Sequence, residues 1–321
     1  MPSCRTLSPV MGNRAASPLV IVNRNASQLA DPAHRERVTT GLLRAVEART
    51  GRSPILVDST MEAARAALVD ASMAPLVAVA GGDGTIRAAL AVLAGTNVPL
   101  AIVPAGTGNV FANALGIPRR ATEAVRLVGS GRAVQVDLGR VSWNRAGAGE
   151  PGEAVFAVAC GLGLDARVMA AATEHLKRRL GFFAYIVATV AEAGKLRPVR
   201  FRIDVDGDVH EVEGLLVLIA NCGQLIPGIV GPRNPIDPMD GLLDVIVILG
   251  PGVAGGLVGS AETLLGAGAP PQRGTRSLRF RARHVRVESD PPEPVQIDGD
   301  PAVADWLEAT SLPGALTVLR G

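Results

Sequence analysis

The spacing of apolar and polar positions changes character near residue 139. Before it, short apolar runs alternate with stretches of helical period. Leu19–Val22, Pro54–Val57, Leu76–Ala80, Pro99–Val103 and Ala133–Leu138 read as strands. Val38, Leu42, Leu43 and Val46 recur at helical spacing after Asp31-Pro32, and Gly51 stops that helix. Ser59-Thr60-Met61-Glu62 predicts a capping signal ahead of a helix over 63–71. Further helices are expected from Thr85, over 110–115 and over 121–128. Strands alternating with helices predict a parallel sheet whose ligands sit beyond the carboxyl ends of the strands.

After that point strand follows strand. Ala154–Cys160, Val199–Val205, Val209–Val212, Leu215–Asn221, Leu242–Leu249, Ser277–Ala282, His284–Glu288 and Val295–Asp298 all fit, with Asp206-Gly207-Asp208 as a hairpin turn. This texture predicts a β-sandwich. Two helical insertions, Leu164–Ala172 and Glu174–Ala193, interrupt it. The fold class is α/β + β: an N-terminal α/β domain with a parallel sheet over 18–138, and a C-terminal β-sandwich over 139–321. The last strand, within 310–321, is open to pairing in either domain.

Composition narrows the function classes. Aromatic residues are 3% of the chain and the net charge is +2, which argues against a nucleic-acid binder. The three cysteines, Cys4, Cys160 and Cys222, show no paired spacing, and none of the four histidines makes a His-Glu-x-x-His unit. A reducing cytoplasm fits best. The first 17 residues lack the apolar core of a signal peptide and read as a loose tail. The longest apolar run, Leu242–Val258, is interrupted by Asp244 and Gly250-Pro251-Gly252.

Candidate chemistry concentrates in two glycine loops that directly follow strands. In Gly81-Gly82-Asp83-Gly84-Thr85, glycines bring a ligand close to bare N–H groups, and the helix start adds unpaired donors. Asp83 is placed to orient a hydroxyl or a Mg²⁺ shell, and Thr85 to cap the helix or touch a phosphate. Gly106-Thr107-Gly108-Asn109 repeats the logic one unit later. A tight turn before a capped helix is the plainer alternative for each. The first loop lacks the Gly-Lys-Ser/Thr ending of a P-loop and the spacing of a dinucleotide fingerprint.

The ordered series Gly81-Gly82-Asp83-Gly84-Thr85, then Pro104-x-Gly106-Thr107-x-Asn109-x-Phe111-Ala112, resembles the diacylglycerol kinase catalytic-domain family, which includes bacterial lipid kinases and sphingosine kinases. The resemblance continues through Val136-Asp137-Leu138-Gly139, Gly161 to Ala166 and Asp240 to Val245, and ends near Asp298-Gly299-Asp300. It implies ATP-dependent, Mg²⁺-dependent phosphorylation of a lipid hydroxyl, such as that of diacylglycerol. It places Asn23, Arg24, Asn25 and Ser27 in a first nucleotide loop, Thr60 and Thr107 on the nucleotide, and Gly81 to Arg87 around the phosphates. Asp300 stands where the family usually has a glutamate as general base, with Asp298 as a competing carboxylate. Arg24, in a loop that is often Asn-Pro, and Val110, where many relatives carry Asp, are further departures.

The resemblance also implies a structural Mg²⁺ at Asp240 and the carbonyls of Asp237 and Leu242, with the Asp237 carboxylate as a further ligand. The local alternative is an Asp-Gly turn. Asp244 reads as a solvated strand position, and Arg279, Arg281 and Arg283 as one exposed strand face. Lys177, Arg178 and Arg179 precede Phe182, Phe183 and Tyr185, a basic and aromatic stretch suited to peripheral contact with the inner membrane face. An open sheet edge leaves a homodimer possible. Two rivals stay open: an NAD kinase, whose family also uses Gly-Gly-Asp-Gly-Thr, and a catalytically silent nucleotide- or lipid-binding protein.

Overall fold

The computed structural model describes residues 17–69, 71–144, 151–163, 197–223, 235–249, 277–298 and 300–321. Its N-terminal half is a parallel sheet in the order β4-β3-β1-β2: β1 (Leu19–Asn23), β2 (Ile55–Ser59), β3 (Val77–Gly81) and β4 (Leu100–Pro104). β1, β3 and β4 are buried along their whole length, as their unbroken apolar runs require.

α1 (Pro32–Thr50) packs with α5 (Ala121–Ser130), and α2 (Met61–Leu68) packs with α3 (Asp83–Leu93). The α1 boundaries follow local chemistry. The Asp31 carboxylate accepts the His34 N–H at 2.7 Å, Pro32 opens the helix, and Gly51 closes it at φ 66°. After the Ser59-Thr60-Met61-Glu62 signal, α2 opens with Thr60 as its N-cap, whose side chain makes no cap bond, and it ends at Leu68. Chain order reverses between β1 and β3, so the switch point, where ligands bind in open α/β sheets, lies where the loops after those two strands meet.

β5 (Arg132–Trp143) leads into the second half. There β6 (Gly152–Phe156), β7 (Ala159–Leu162), β8 (Val199–Val205), β9 (Asp208–Gly214), β10 (Leu216–Ala220), β11 (Leu243–Ile248), β12 (Ser277–Ala282), β13 (His284–Ile297) and β14 (Asp300–Arg320) build antiparallel layers. Their interior is a second core around Phe156, Phe201, Val217, Val245 and Leu307. β14 spans the molecule. It pairs β13 from Asp300 onward, follows β5 to Arg320, and meets β4 in parallel at Val318↔Leu100. The sheet is therefore continuous from one half to the other.

Several strands differ from expectation. Ala154–Cys160 is two strands, broken at Ala157 and Val158, whose N–H groups turn to a side chain instead of a neighbouring strand. The segments 284–288 and 295–298 are one strand, whose register shifts between Glu288 and Glu293 around the cis Asp290-Pro291 bond. Asp244 is not solvated: it is 2% exposed and paired with Arg279. Arg281 pairs with Asp240, so two of the three expected surface arginines are engaged. The insertions expected over 164–193 and the Lys177–Tyr185 stretch lie outside the described residues.

Candidate active site

The two glycine loops touch. A Cβ on Gly106 would lie 2.6 Å from the Gly82 Cα, so Gly106 must be bare, and a Cβ on Gly82 would press on the Gly106 Cα at 3.2 Å. The Ala105 N–H donates to the Gly81 carbonyl at 2.8 Å and closes the pair. Gly81 is equally constrained, because a Cβ there would lie 2.6 Å from the Thr85 side chain. α3 opens at Asp83 rather than Thr85, with Gly82 as its N-cap and no side-chain cap bond.

The polar residues of these loops fall into two groups. The first is spent on the scaffold. Thr85, 1% exposed, accepts the Asn23 amide at 2.9 Å across the switch point. This corrects the expectation that Thr85 caps the helix or meets a phosphate. Asn109, 3% exposed and at φ 47°, folds back on Gly106, accepting its N–H at 3.0 Å and donating to its carbonyl at 2.8 Å. The Asp83 carboxylate accepts the Val110 N–H at 2.8 Å and so ties the first loop to the second. Burial pushes its carboxyl up, against the pull of the N–H groups of Val110, Asn109 and Phe111. Asp83 is thus first a brace between loops.

The second group faces outward at the same edge: Arg24, Asn25, Ser27, Thr60, Gly84 and Thr107 are exposed. Thr107 Oγ1 donates to Ser27 Oγ at 3.3 Å, and Ser27 Oγ to the Ala105 carbonyl at 3.4 Å. Arg24 lies over the end of β2, 3.7 Å from Asp58. Among the described residues no backbone carbonyl takes up the N–H groups of Gly82, Thr107 and Gly108. What the edge offers is a set of free amides ringed by hydroxyls, which suits phosphate oxygens. Gln28, missed in the sequence, supports this edge: its N–H holds the Ala105 carbonyl at 2.9 Å, and its side chain reaches the Arg119 carbonyl at 3.2 Å.

The Asp298 turn arrives from the other half. Ile297 pairs with Asp300, which leaves a two-residue turn led by Asp298 at φ 44°. The Asp298 carboxylate accepts three N–H groups: Ala157 at 2.9 Å, Val158 at 3.0 Å and Ala159 at 3.0 Å. Burial pushes this carboxyl up, opposed by those donors and by the Arg87 charge. Arg87 projects from α3 and donates to the Asp298 carbonyl at 3.4 Å. The turn is therefore docked on the helix that begins with the first glycine loop. Burial, and the charges of both Asp298 and Asp83, push the Cys222 thiol well up. Asp298 is consumed as an anchor and is not a base candidate. Asp300, which opens β14, is carried to the site by that anchor.

The Asp237–Leu242 turn is different. Asp237 Oδ1 accepts the Met239 N–H at 3.1 Å, Asp240 Oδ1 accepts the Leu242 N–H at 3.0 Å, and Arg281 pairs with the other Asp240 oxygen. Among the described residues no group of three or more His, Cys, Asp or Glu side chains is placed to hold a metal. As arranged, the Asp237 and Asp240 carboxylates brace the turn's own N–H groups and Asp240 is ion-paired to Arg281, at the place where the resemblance implies Asp240 and the carbonyls of Asp237 and Leu242 as Mg²⁺ ligands. The turn is held by Asp137, a residue without an assigned role in the sequence. Its carboxylate accepts the Gly241 and Gly314 N–H groups, each at 2.7 Å. The available signal was a charge between Val136 and Leu138 in the expected strand Ala133–Leu138, since a buried charge must be paired.

The fold and the site define a two-domain α/β plus β-sandwich protein with a phosphate-type edge facing the second half. Comparison with known proteins agrees. Residues 17–141 match the diacylglycerol kinase catalytic domain, and residues 158–320 match the YegS C-terminal NAD kinase beta sandwich-like domain. A protein of Mycobacterium tuberculosis H37Rv described as diacylglycerol kinase is 35% identical over 246 residues, 76% of this chain and 76% of its own length. A probable lipid kinase YegS-like of Pseudomonas aeruginosa PAO1 is 35% identical over 253 residues, 77% of each chain. The crystal structure of a putative diacylglycerol kinase from Bacillus anthracis superposes with a TM-score of 0.71 at 23% identity, covering 95% of both chains. The chain belongs to the diacylglycerol kinase catalytic-domain family, with a YegS-type C-terminal domain.

Proposed function

We propose that the protein transfers the γ-phosphoryl group of ATP to the hydroxyl of diacylglycerol or a related lipid. The observation that carries this reading is the contact of the two glycine loops at Gly82 and Gly106, with the Asp298–Asp300 turn docked beside them through Arg87. The free N–H groups of Gly82, Thr107 and Gly108 bind phosphate oxygens. Ser27, Thr60 and Thr107 offer hydroxyls along the nucleotide. Asp83 keeps the two loops in register. Asp300 accepts the proton of the attacking hydroxyl, and Asp298 fixes where Asp300 stands. Arg87 adds positive charge beside the transferred group. These are positioning and charge-neutralising tasks, which dominate phosphoryl transfer.

A Mg²⁺ ion accompanying the triphosphate would supply further charge neutralisation. The acceptor is met at a bilayer surface. No helix among the described residues is long and apolar enough to cross a membrane.

The test is labelled ATP offered with a panel of diacylglycerol, sphingosine, sugars and NAD. Label in an organic-extractable product supports the reading. Label in NAD alone, or ATP binding with no labelled product, overturns it.

A further inference from the structure

β13, β7, β10 and β11 lie side by side, and their register sorts their side chains onto two faces. Val295, Ile297, Leu162, Val217 and Val245 point into the sandwich interior. The opposite face carries Gln296 across from Gly161, Gly161 across from Leu218, and Leu218 across from Ile246. Leu216 and Ile248 form the next row. The outward face of a sandwich is ordinarily polar and wet. Here Leu216, Leu218 and Ile246 are 0% exposed, and they belong to the core that continues into the α/β half.

Gln296 is the polar exception on this face. It is 3% exposed, and neither its Oε1 nor its Nε2 has a hydrogen-bond partner among the described residues. A buried, unpaired carboxamide is costly, and such costs persist where they serve a ligand. Its place points to which ligand. Gln296 stands two residues before Asp298, roughly 7 Å along the strand, and pairs with Pro301, the residue after Asp300. It thus stands on the strand that leads to the proposed reaction centre, with apolar neighbours as its floor.

We propose that Gln296 is a specificity-determining residue of the acceptor site: its carboxamide N–H hydrogen-bonds an ester carbonyl of the acceptor lipid, close to the hydroxyl that is phosphorylated. The inference rests on the lipid kinase reading and names the headgroup chemistry. A diacylglycerol carries its ester carbonyls within a few bonds of the free hydroxyl, inside the reach set by the strand. The neutral amide reads the carbonyl without placing a charge on the apolar floor.

The experiment compares a dioctanoylglycerol with the matching dioctyl diether, which lacks the carbonyls, as acceptors for the full-length protein. Wild type is expected to favour the diester in kcat/KM by about tenfold or more, as a site with an amide left unpaired rejects the analogue. Gln296→Leu should lose that preference: the diester rate falls by the same factor, and the diether rate stays within about threefold. Its thermal midpoint should be equal or higher, because an unpaired buried amide has been removed. Gln296→Met, closer in shape, provides the same comparison should Leu disturb packing. Equal falls for both acceptors, or an unchanged preference, overturn the inference while leaving the kinase reading intact. Wild type that labels neither acceptor overturns that reading, and this inference with it.

Discussion

The chain contains the tripeptide Asp-Gly-Asp twice, at Asp206-Gly207-Asp208 and Asp298-Gly299-Asp300. Both close antiparallel hairpins, with Val205 paired to Asp208 and Ile297 to Asp300. Both lead with an aspartate in the left-handed region, at φ 52° and φ 44°. In both, the leading carboxylate gathers backbone N–H groups. Asp206 takes those of Arg283 and His284, and Asp298 takes those of Ala157, Val158 and Ala159. Local chemistry is shared; the address is not. The Asp206 turn is exposed at the far end of β8 and β9. The Asp298 turn is set against α3 and the glycine loops. A short acidic turn becomes a candidate for catalysis only through where the sheet delivers it.

The contrast can be broken by substitution. The largest effect is expected at the trailing residues. Asp300→Asn should lower lipid phosphorylation by about a hundredfold or more, the scale of a lost general base. Asp208→Asn should leave the rate unchanged. Equal rates for the two variants would sink the assignment of Asp300.

Next come the anchors. Asp298→Ala leaves three N–H groups facing an apolar methyl and should cost about 3 kcal/mol in urea unfolding. Asp206→Ala, in water, should cost about 1 kcal/mol and leave kcat untouched. Arg87→Met tests the docking contact. It should reduce kcat by about tenfold, with the unfolding midpoint shifted little, since a partly buried arginine acts there through charge and position.

The smallest effect lies beside the exposed turn. His284 Nε2 sits 3.0 Å from Glu308, and Arg286 donates to the same carboxylate at 3.1 Å. The His284 hydrogen bond, helped by Arg286, holds the Glu308 carboxyl below its ordinary value of 4.5. A depressed carboxylate stabilises the fold above its unfolded value, and that contribution is lost as the pH falls through the folded one. The stability gap between wild type and Glu308→Gln should therefore close as the pH falls below about 4.5, with activity unaffected at neutral pH.

Much of the first half was legible because its signals are local. Apolar runs gave β1, β3 and β4, and Asp31, Pro32 and Gly51 bounded α1. The glycine loops were legible too, but their division of labour was not. Sequence placed Asn23, Asp83, Thr85 and Asn109 beside Arg24, Ser27, Thr60 and Thr107 as one set. Only the chain's return makes the first four scaffold and the others rim. The sandwich hid more, because its decisive contacts are distant in sequence. The break between β6 and β7 answers to Asp298, and the buried Asp244 answers to Arg279. β14 was expected only at its end; Pro301, Pro313 and Gly314 masked a strand held by β13 and β5 on either side.

The account's central claim is that two touching loops offer free amides to a triphosphate while the Asp298–Asp300 turn waits beside it. A crystal structure with a nonhydrolysable ATP analogue tests this most directly. The account predicts phosphate oxygens on the N–H groups of Gly82, Thr107 and Gly108, with the terminal phosphate next to the Asp298–Asp300 turn. A triphosphate bound away from both loops, or one whose terminal phosphate faces away from that turn, would contradict it.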